Sequence, residues 1–508
     1  MRETAHKYEV WSQKWLEGKL SRLPNIWRES VIKRYNKLNR QSVKVANDYV
    51  RELVEPIEGD INISACDDEL QALAKFCASQ CSNYYSKSLL YADFEANRKC
   101  YKLAARYAVR YPFEFDLNQQ RARMLDDTWW LRNLRSSHAK AREAAARDAG
   151  IVHKKHDVYV SDDTLERRKQ QLRRNAKLLE GIDMLNTETG EVMNLADIAA
   201  SGQANQANRY NELMTRITGF EQLAVKYGHH SMFVTLTTPS RMHAVLANGK
   251  NNPKYDGTKP DAAQKYLVHT WAKARAQFAK EGVKIYGLRV AEPHHDGTPH
   301  WHLIIFYQAI NSQAIKLKSI LKNQFTAADR DELGNDITPR VKIIYINPLK
   351  GTAAGYVMKY LAKNLGGIKN DESDEATGQT SESIADRVEA WASTWRIRQF
   401  QQIGGHQVSV WRELRRIDEC QFEGKSVSFV KAWQACQRNG DVKASFAAYI
   451  ESMGGLGVKA KSSTYCVDYD AVNKQGKYGL VAVLKVLGVG ERFGREIVKT
   501  NRVEWVRG

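Results

Sequence analysis

The chain has 508 residues, 43% of them apolar, and carries 77 lysines and arginines against 58 acidic residues; the charge of +19 and pI near 9.4 suit a polyanionic partner, with nucleic acid the commonest one. That length predicts two to four folding units, and that apolar share excludes an intrinsically disordered chain. The opening MRETAHKYEVWSQKW lacks the apolar core of a signal peptide, and no stretch approaches the roughly 20 apolar residues of a membrane helix, so a cytosolic protein with no membrane partner is expected.

Residues 1 to about 110 read as helical, with Trp11, Trp15, Leu20, Trp27, Val31, Tyr35 and Leu38 among many basic positions. Seven cysteines make an odd, sparse count that fits reduced thiols. Cys77, Cys81, Cys66 and Cys100 do not follow a zinc spacing and read as buried thiols. From Arg121 to Glu180 the chain turns strongly basic. DDTWWLRNLRSSHAKAREAAARDAG and SDDTLERRKQQLRRNAKLLE each open on Asp-rich cap signals and continue as helices. The second presents Arg167, Arg168, Lys169, Arg173, Arg174 and Lys177, with Leu165, Leu172 and Leu179 at seven-residue spacing. Such a run is either a solvated face or a DNA-contacting one. Trp129 and Trp130 could stack on bases, with core packing the commoner use. Asn186 to Gln206 is polar and reads as a linker.

Regular architecture follows. MFVTLTT (Met232 to Thr238) is a strand that ends at Pro239, and DAAQKYLVHTWAKARAQFAKEG is a helix with Leu267, Trp271, Ala274 and Phe278 on one face. IYGLRVA (Ile285 to Ala291) and HLIIF read as hairpin strands joined by PHHDGTP. INSQAIKLKSILKNQF is a helix, VKIIYI a strand, and GTAAGYVMKYLAKNLGG (Gly351 to Gly367) a helix closed by paired glycines. The order β-α-β-β-α-β-α predicts an α+β fold, a split βαβ sheet with helices on one face. An acidic polar loop follows Gly366; ADRVEAWASTWRIRQF then resumes as a helix, and the last hundred residues are globular without a chemical motif. Gly488-Val-Gly490 lacks the third glycine of a dinucleotide fingerprint.

Two features carry chemistry. His300 and His302 flank Trp301 on one strand, so their imidazoles project side by side into one space, as a metal or phosphate site requires. Glu292, across the hairpin, completes a three-ligand open set for a divalent cation; histidines merely packed in a strand are the alternative. Tyr356 and Tyr360, one helical turn apart, share a face that Lys363 continues, with Lys359 beside it. Tyrosines so spaced are also common core residues.

Three blocks in order, FVTLTTPS, EPHHDGTPHWHLIIF and GYVMKYLAKN, resemble the motifs of the HUH endonucleases, and more closely the bacteriophage replication gene A protein family of rolling-circle initiators. DDTWWLRNLR, VYVSDDTLERRKQQLRRN, NELMTRITGFE and WASTWRIRQFQQIGGHQVSVWRELRR extend the resemblance over roughly Asp126 to Ile417. Tyrosines placed after the histidine pair follow the replication-initiator order. The resemblance implies a ferredoxin- or RRM-like antiparallel nuclease core at 226–370, between a mainly helical, DNA-binding region at 1–225 and a smaller mixed region at 371–508. It also implies that His300 and His302 hold Mg²⁺ or Mn²⁺, with Glu292 as third ligand and His294, His295 and Asp296 as competitors. Tyr356 and Tyr360 would be nucleophiles that nick origin DNA through a 5′-phosphotyrosine, with Lys359 and Lys363 steadying phosphate or phenolate. No G-x-x-x-x-G-K-[ST] pattern occurs, so a host helicase and polymerase, in the bacterial cytoplasm, are the expected partners. A transposase of the same chemistry and a non-cleaving nucleic-acid-binding protein are the alternative functions.

Overall fold

The computed structural model describes residues 13–54, 61–87, 93–202, 205–347, 351–365, 381–438, 443–458, 460–494, 497–502 and 504–508. Its first third is helical. The helices α1 (residues 13–20), α2 (Asn25–Asn39) and α3 (Val43–Val54) bury Leu20, Trp27, Val31, Tyr35 and Val50 against Ala145 and Ala146. Those alanines lie on α7 (Asp127–Asp148), whose other end packs with α4 (Asp67–Ser86), α5 (Asp93–Arg106) and α6 (Leu117–Met124). Trp129 and Trp130 are buried there, and the Trp130 indole donates to the Met124 carbonyl at 2.9 Å, so both are core residues. Cys77, Cys81 and Cys100 are buried free thiols of the same core.

Ser161 caps α8 (Asp162–Glu180) by accepting from the Thr164 N–H. The stretch expected to be a linker is structured instead. β1 (Asp183–Asn186) and β2 (Val192–Asn194) form a hairpin, α9 (Leu195–Ser201) follows, and the C-terminal strand 505–507 pairs with β1. The polar TETGE is its turn: the Asn186 side chain accepts from the Glu188 and Thr189 N–H groups, and Gly190 adopts φ 72°.

The central sheet is built from β3 (His229–Thr237), β4 (Ile285–Pro293), β5 (Pro299–Gln308), β6 (Val341–Tyr345) and β7 (Phe400–Ile403), in the antiparallel order β6-β3-β5-β4-β7. Within it the sequence-predicted order β-α-β-β-α-β-α is found, with α11 (Pro260–Lys280) after β3, α12 (Asn311–Thr326) and the short α13 (Arg330–Leu333) after β5, and α14 (Ala353–Leu365) after β6.

Both faces of the sheet are covered, contrary to the single helical face expected. Met232, Val234, Leu236, Trp301, Leu303 and Ile305 pack with α11, α12 and α15 (Ser381–Trp395). Phe233, Leu288, Val290, Ile304 and Phe306 pack with α10 (Gln206–Lys226), α14, α16 (Val408–Leu414), α17 (Val427–Cys436) and α18 (Phe446–Ser452). The reason lies in the strands: HWHLIIF is apolar on both alternating sets beyond its histidines, so each face needs a cover. The sheet therefore draws α10 from before residue 226 and α15 and β7 from after residue 370 into its two cores.

One helical expectation is shortened. ADRVEAWASTWRIRQF stops being a helix at Trp395, where Arg396 turns to φ 54°, and Phe400 opens β7 instead. Beyond α18, β8 (Tyr465–Gly476), β9 (Gly479–Glu491) and β10 (Ile497–Lys499) form a separate antiparallel sheet, and the C-terminal strand at 505–507 is β11 (Trp505–Arg507). No helix among the described residues is long and apolar enough to cross a membrane.

Candidate active site

The site forms at one end of the sheet face covered by α14. Register decides its composition: Glu292 pairs with His300, Val290 with His302, and Thr235 of β3 with His302. Alternation then sends Glu292, His300, His302 and Thr235 to one side and Trp301 to the other. The two imidazoles meet Nε2 to Nε2 at 2.9 Å, and the Glu292 Oε2 lies 3.9 Å from the His302 Nε2. Among the described residues this trio is the one group of donor atoms, all within 4.8 Å of one another, that could hold a metal ion.

The competitors are placed differently. The buried Asp296 carboxylate accepts the Ala244 N–H and the Thr298 N–H, both at 3.0 Å, and so holds the hairpin turn. The His294 ring lies tilted against His300, centroids 4.0 Å apart, with its buried Nε2 lacking a partner among the described residues; the His295 Nδ1 lacks one too.

The hairpin turn is clamped from outside. The Arg147 guanidinium donates to the Asp296 carbonyl at 2.7 Å and the Thr298 hydroxyl at 3.0 Å, and the Trp391 indole donates to the Gly297 carbonyl at 2.7 Å. Gly297 itself needs no side chain: its φ is 78°, and a Cβ would sit 2.9 Å from the Tyr159 carbonyl oxygen.

Burial pushes the His300 imidazole well below its ordinary range, aided by the charge of His294, His302 and Lys363. Burial and then Lys363 bring His302 down to about 3. Both shifts disfavour the imidazolium forms, the direction a cation site requires. The His300 Nδ1 is buried without a hydrogen-bond partner among the described residues. Two neutral imidazoles and a carboxylate at this spacing fit a divalent cation, Mn²⁺ accepting nitrogen more readily than Mg²⁺.

Helix α14 is fixed at both ends. Glu221 of α10 accepts the Ala353 and Ala354 N–H groups at 2.5 and 3.4 Å, and Thr352 accepts the Gly355 N–H at 3.0 Å. At the far end the Asn364 amide donates to Glu292 Oε1 at 2.6 Å, and Gln399 donates to the Asn364 carbonyl oxygen at 3.1 Å. The helix buries Ala353, Val357, Leu361 and Leu365, and this leaves Tyr360 partly buried against His302 and Phe233. Tyr360 lies with its ring 4.1 Å from His302 and 5.1 Å from Phe233; Tyr356 is 6.2 Å from Phe233 and 38% exposed. Burial, and then the Glu292 charge, raise the Tyr360 phenol to about 12. Lys363 places its Nζ 3.7 Å from Glu292 Oε2 and 4.9 Å from the Tyr159 ring centre, while Lys359 is exposed beside Tyr360.

The basic helix α8 divides. Arg168 makes a two-pronged pair with Glu389, its closest contact 2.6 Å, and Lys169 meets Asp386 at 3.0 Å, both on α15. Arg167 lies beside His138, 3.5 Å away. Arg173 is 3.9 Å from Glu166, and Arg173, Arg174 and Lys177 are exposed.

Asn364, Gln399, Thr235 and Glu221 were not singled out from sequence. Asn364 stood within GYVMKYLAKN, eight residues after Tyr356; nothing in the sequence links Gln399 to it.

The sequence profile of the family described as bacteriophage replication gene A protein (GPA) matches residues 66–368. The chain belongs to this family. Among gene A relatives, the "Replication gene A protein" of Escherichia phage 186 is 36% identical over 378 residues, 74% of this chain and 53% of that protein. A "Probable replication endonuclease from prophage-like region" of Salmonella paratyphi A is 33% identical over 392 residues, covering 76% and 48%. The "Replication protein" of Haemophilus phage HP1 is 33% identical over 392 residues, covering 75% and 48%. The chain thus spans about half the length of these curated gene A relatives. No solved structure matches it.

Proposed function

We propose that this gene A family member is a site-specific DNA endonuclease and strand-joining enzyme of the HUH, two-tyrosine type, which nicks a phage origin and initiates rolling-circle replication. The observation that carries the reading is the Tyr360 ring lying 4.1 Å from His302, inside the only donor trio found among the described residues. The antiparallel β3-α11-β4-β5-α12-β6 unit is, in this reading, the HUH core.

Glu292, His300 and His302 would hold a divalent cation, Mg²⁺ or Mn²⁺; when bound, it supplies Lewis-acid withdrawal of charge from a scissile phosphate. The remaining work belongs to the chain. A tyrosine hydroxyl oxygen bonds to phosphorus and loses its proton; the bond from phosphorus to the 3′-oxygen breaks, and that oxygen leaves as a 3′-hydroxyl. The product is a 5′-phosphotyrosine, and attack by a 3′-hydroxyl reverses the step and joins strands. Lys363 and Lys359 bring positive charge to the phosphate side of α14. Asn364 holds Glu292 in place. Tyr356 and Tyr360, one turn apart, serve successive cleavages, one retaining the 5′ end while the other cuts.

The exposed cations of α8 (Arg173, Arg174 and Lys177), together with Arg167, Arg168 and Lys169, belong to the DNA-binding helical region in this proposal. A host helicase and polymerase in the bacterial cytoplasm open and extend the strand.

The test incubates the protein with single-stranded oligonucleotides tiling its own gene and flanks, with Mn²⁺ or Mg²⁺, followed by a denaturing protein gel. A covalent protein–DNA band that EDTA removes, and that the double variant Tyr356→Phe, Tyr360→Phe does not form, is expected. DNA binding without an adduct under either metal would replace the nuclease reading with that of a non-cleaving DNA-binding protein.

A further inference from the structure

A second charged feature lies outside the tyrosine site. Between α10 and the edge strand β7 is a cleft of about 610 Å³. Arg209, Arg216, Arg398 and Arg412 line it, with Glu212 as the one acidic residue of the lining, an excess of three positive charges (four minus one). Arg412 spans both Glu212 oxygens at 2.7 and 2.9 Å, and Arg216 shares the same carboxylate at 3.6 Å. That leaves Arg209 and Arg398 without a carboxylate within ion-pair distance among the described residues. Arg209 rests over the Phe400 ring at 5.0 Å, and the Arg398 Nε donates only to the Phe400 carbonyl at 3.2 Å. The Arg216 Nε is buried and has no partner among the described residues. Guanidinium groups brought this close without matching acids are costly unless an anion joins them.

The cleft's position says which anion. Phe400 pairs with Val290, and Val290 pairs with His302. Alternation therefore puts Phe400 on the same face as the histidine–tyrosine site, two strand spacings or roughly 10 Å away. The segment that follows Arg398 serves both places: Gln399 props Asn364 against Glu292, while Phe400 floors the cleft. A strand that ends at the tyrosines and leaves toward the β7 edge of the sheet would next meet the arginines.

We propose that the α10–β7 cleft binds backbone phosphates of the same DNA strand that occupies the tyrosine site, with Arg209 and Arg398 as the phosphate-binding residues and Arg216 and Arg412, braced by Glu212, setting the cleft's shape. This rests on the nuclease reading above. Planar guanidinium forks match phosphate oxygens, and contacts to the backbone hold a strand in register without reading its bases.

The test measures the salt dependence of binding of the full chain to a fluorescent mixed-sequence single strand, with EDTA present so that no cleavage enters the readout. The double variant Arg209→Gln, Arg398→Gln is compared with a control of equal charge change on the opposite side of the sheet, Lys316→Gln, Lys322→Gln. The expected result is a fall of about 1.4 in the slope of log K against log salt for the arginine variant, two contacts at about 0.7 each for a single strand, and little change for the control. Equal falls in both variants would reduce the effect to net charge and overturn the cleft. An unchanged slope in the arginine variant, with the unaltered protein binding DNA, would overturn the cleft alone and leave acidic protein segments as its ligand class. No DNA binding by the unaltered protein would overturn the cleft together with the nuclease reading.

Discussion

The two faces of the central sheet are made from the same strands and do opposite things. On one, Met232, Val234, Leu236, Trp301, Leu303 and Ile305 meet α11, α12 and α15 in a core whose members are almost wholly buried. On the other, the apolar packing of Phe233, Leu288, Ile304 and Phe306 gives way at one end to Thr235, Glu292, His300 and His302. Trp301 sits between the two histidines in sequence and behind them in space. The candidate site is therefore backed by a face that takes no part in it: Thr235, Glu292, His300 and His302 each have an apolar strand neighbour directed to the other side.

The largest effect should come from the anchoring face. Trp301 is fully buried and its indole donates to Gln264 at 3.0 Å. Trp301→Ala is expected to cost about 3–5 kcal/mol, from the cavity and from the orphaned Gln264. Thermal unfolding would report it; a loss under about 1 kcal/mol would mean that the two faces are not mechanically linked in this way.

Second comes a pH effect where α7 meets the start of α8. Glu143 of α7 is fully buried, accepts from the Ser161 and Thr164 hydroxyls at 2.6 Å each, and is pushed up to about 7, chiefly by burial. Its folded value lies above the unfolded one, so the folded protein keeps a proton that the unfolded chain has released. This contribution is complete below about pH 4.5 and is lost as pH rises to about 7, at most roughly 3 kcal/mol. Melting temperatures of the unaltered protein and of Glu143→Gln, compared from pH 4.5 to 8, should diverge in that window and in that direction. Parallel curves would show that Glu143 titrates alike in both states.

The smallest effect on stability, and the one most specific to the site, is expected at Asn364. Removing its bridge from Gln399 to Glu292 by Asn364→Ala should raise the Mn²⁺ concentration needed for half-maximal binding by about 10–100-fold. The fold should lose only about 1–3 kcal/mol from the unpaired amide and carboxylate. Calorimetric titration with Mn²⁺ checks the first and thermal melting the second. Unchanged Mn²⁺ affinity would detach Asn364 from the site.

Sequence reading located what local pattern controls. The alternation in HWHLIIF set the strand and the shared side of His300 and His302, and the i, i+4 spacing put Tyr356 and Tyr360 on one face of α14. It could not locate what pairing across long separations controls. β7 is only Phe400–Ile403, and its two central glutamines disguise a strand whose place comes from its ladder with Gly287 to Val290. Gln399 and Asn364 meet across 35 residues, and Glu221 reaches α14 from 132 residues away, through contacts that no periodicity announces. The second covered face was equally hidden, because an apolar strand does not state how many helices will be available to cover it.

The register of β5 has a genetic consequence. Because Trp301 and the histidines occupy alternate positions, inserting or deleting one codon at the start of β5, ahead of His300, would exchange the two faces for every strand residue beyond it. Imidazoles would be driven into the tryptophan's dry core and the indole would press on the tyrosine helix, so the same event that disarms the site also removes the core. Length changes in this strand should surface as missing protein rather than as stable, inactive protein. Single-base frameshifts corrected a few codons later would be purged along with them, while ordinary substitutions at the exposed Tyr356 or Lys359 leave a folded chain on which selection can act separately.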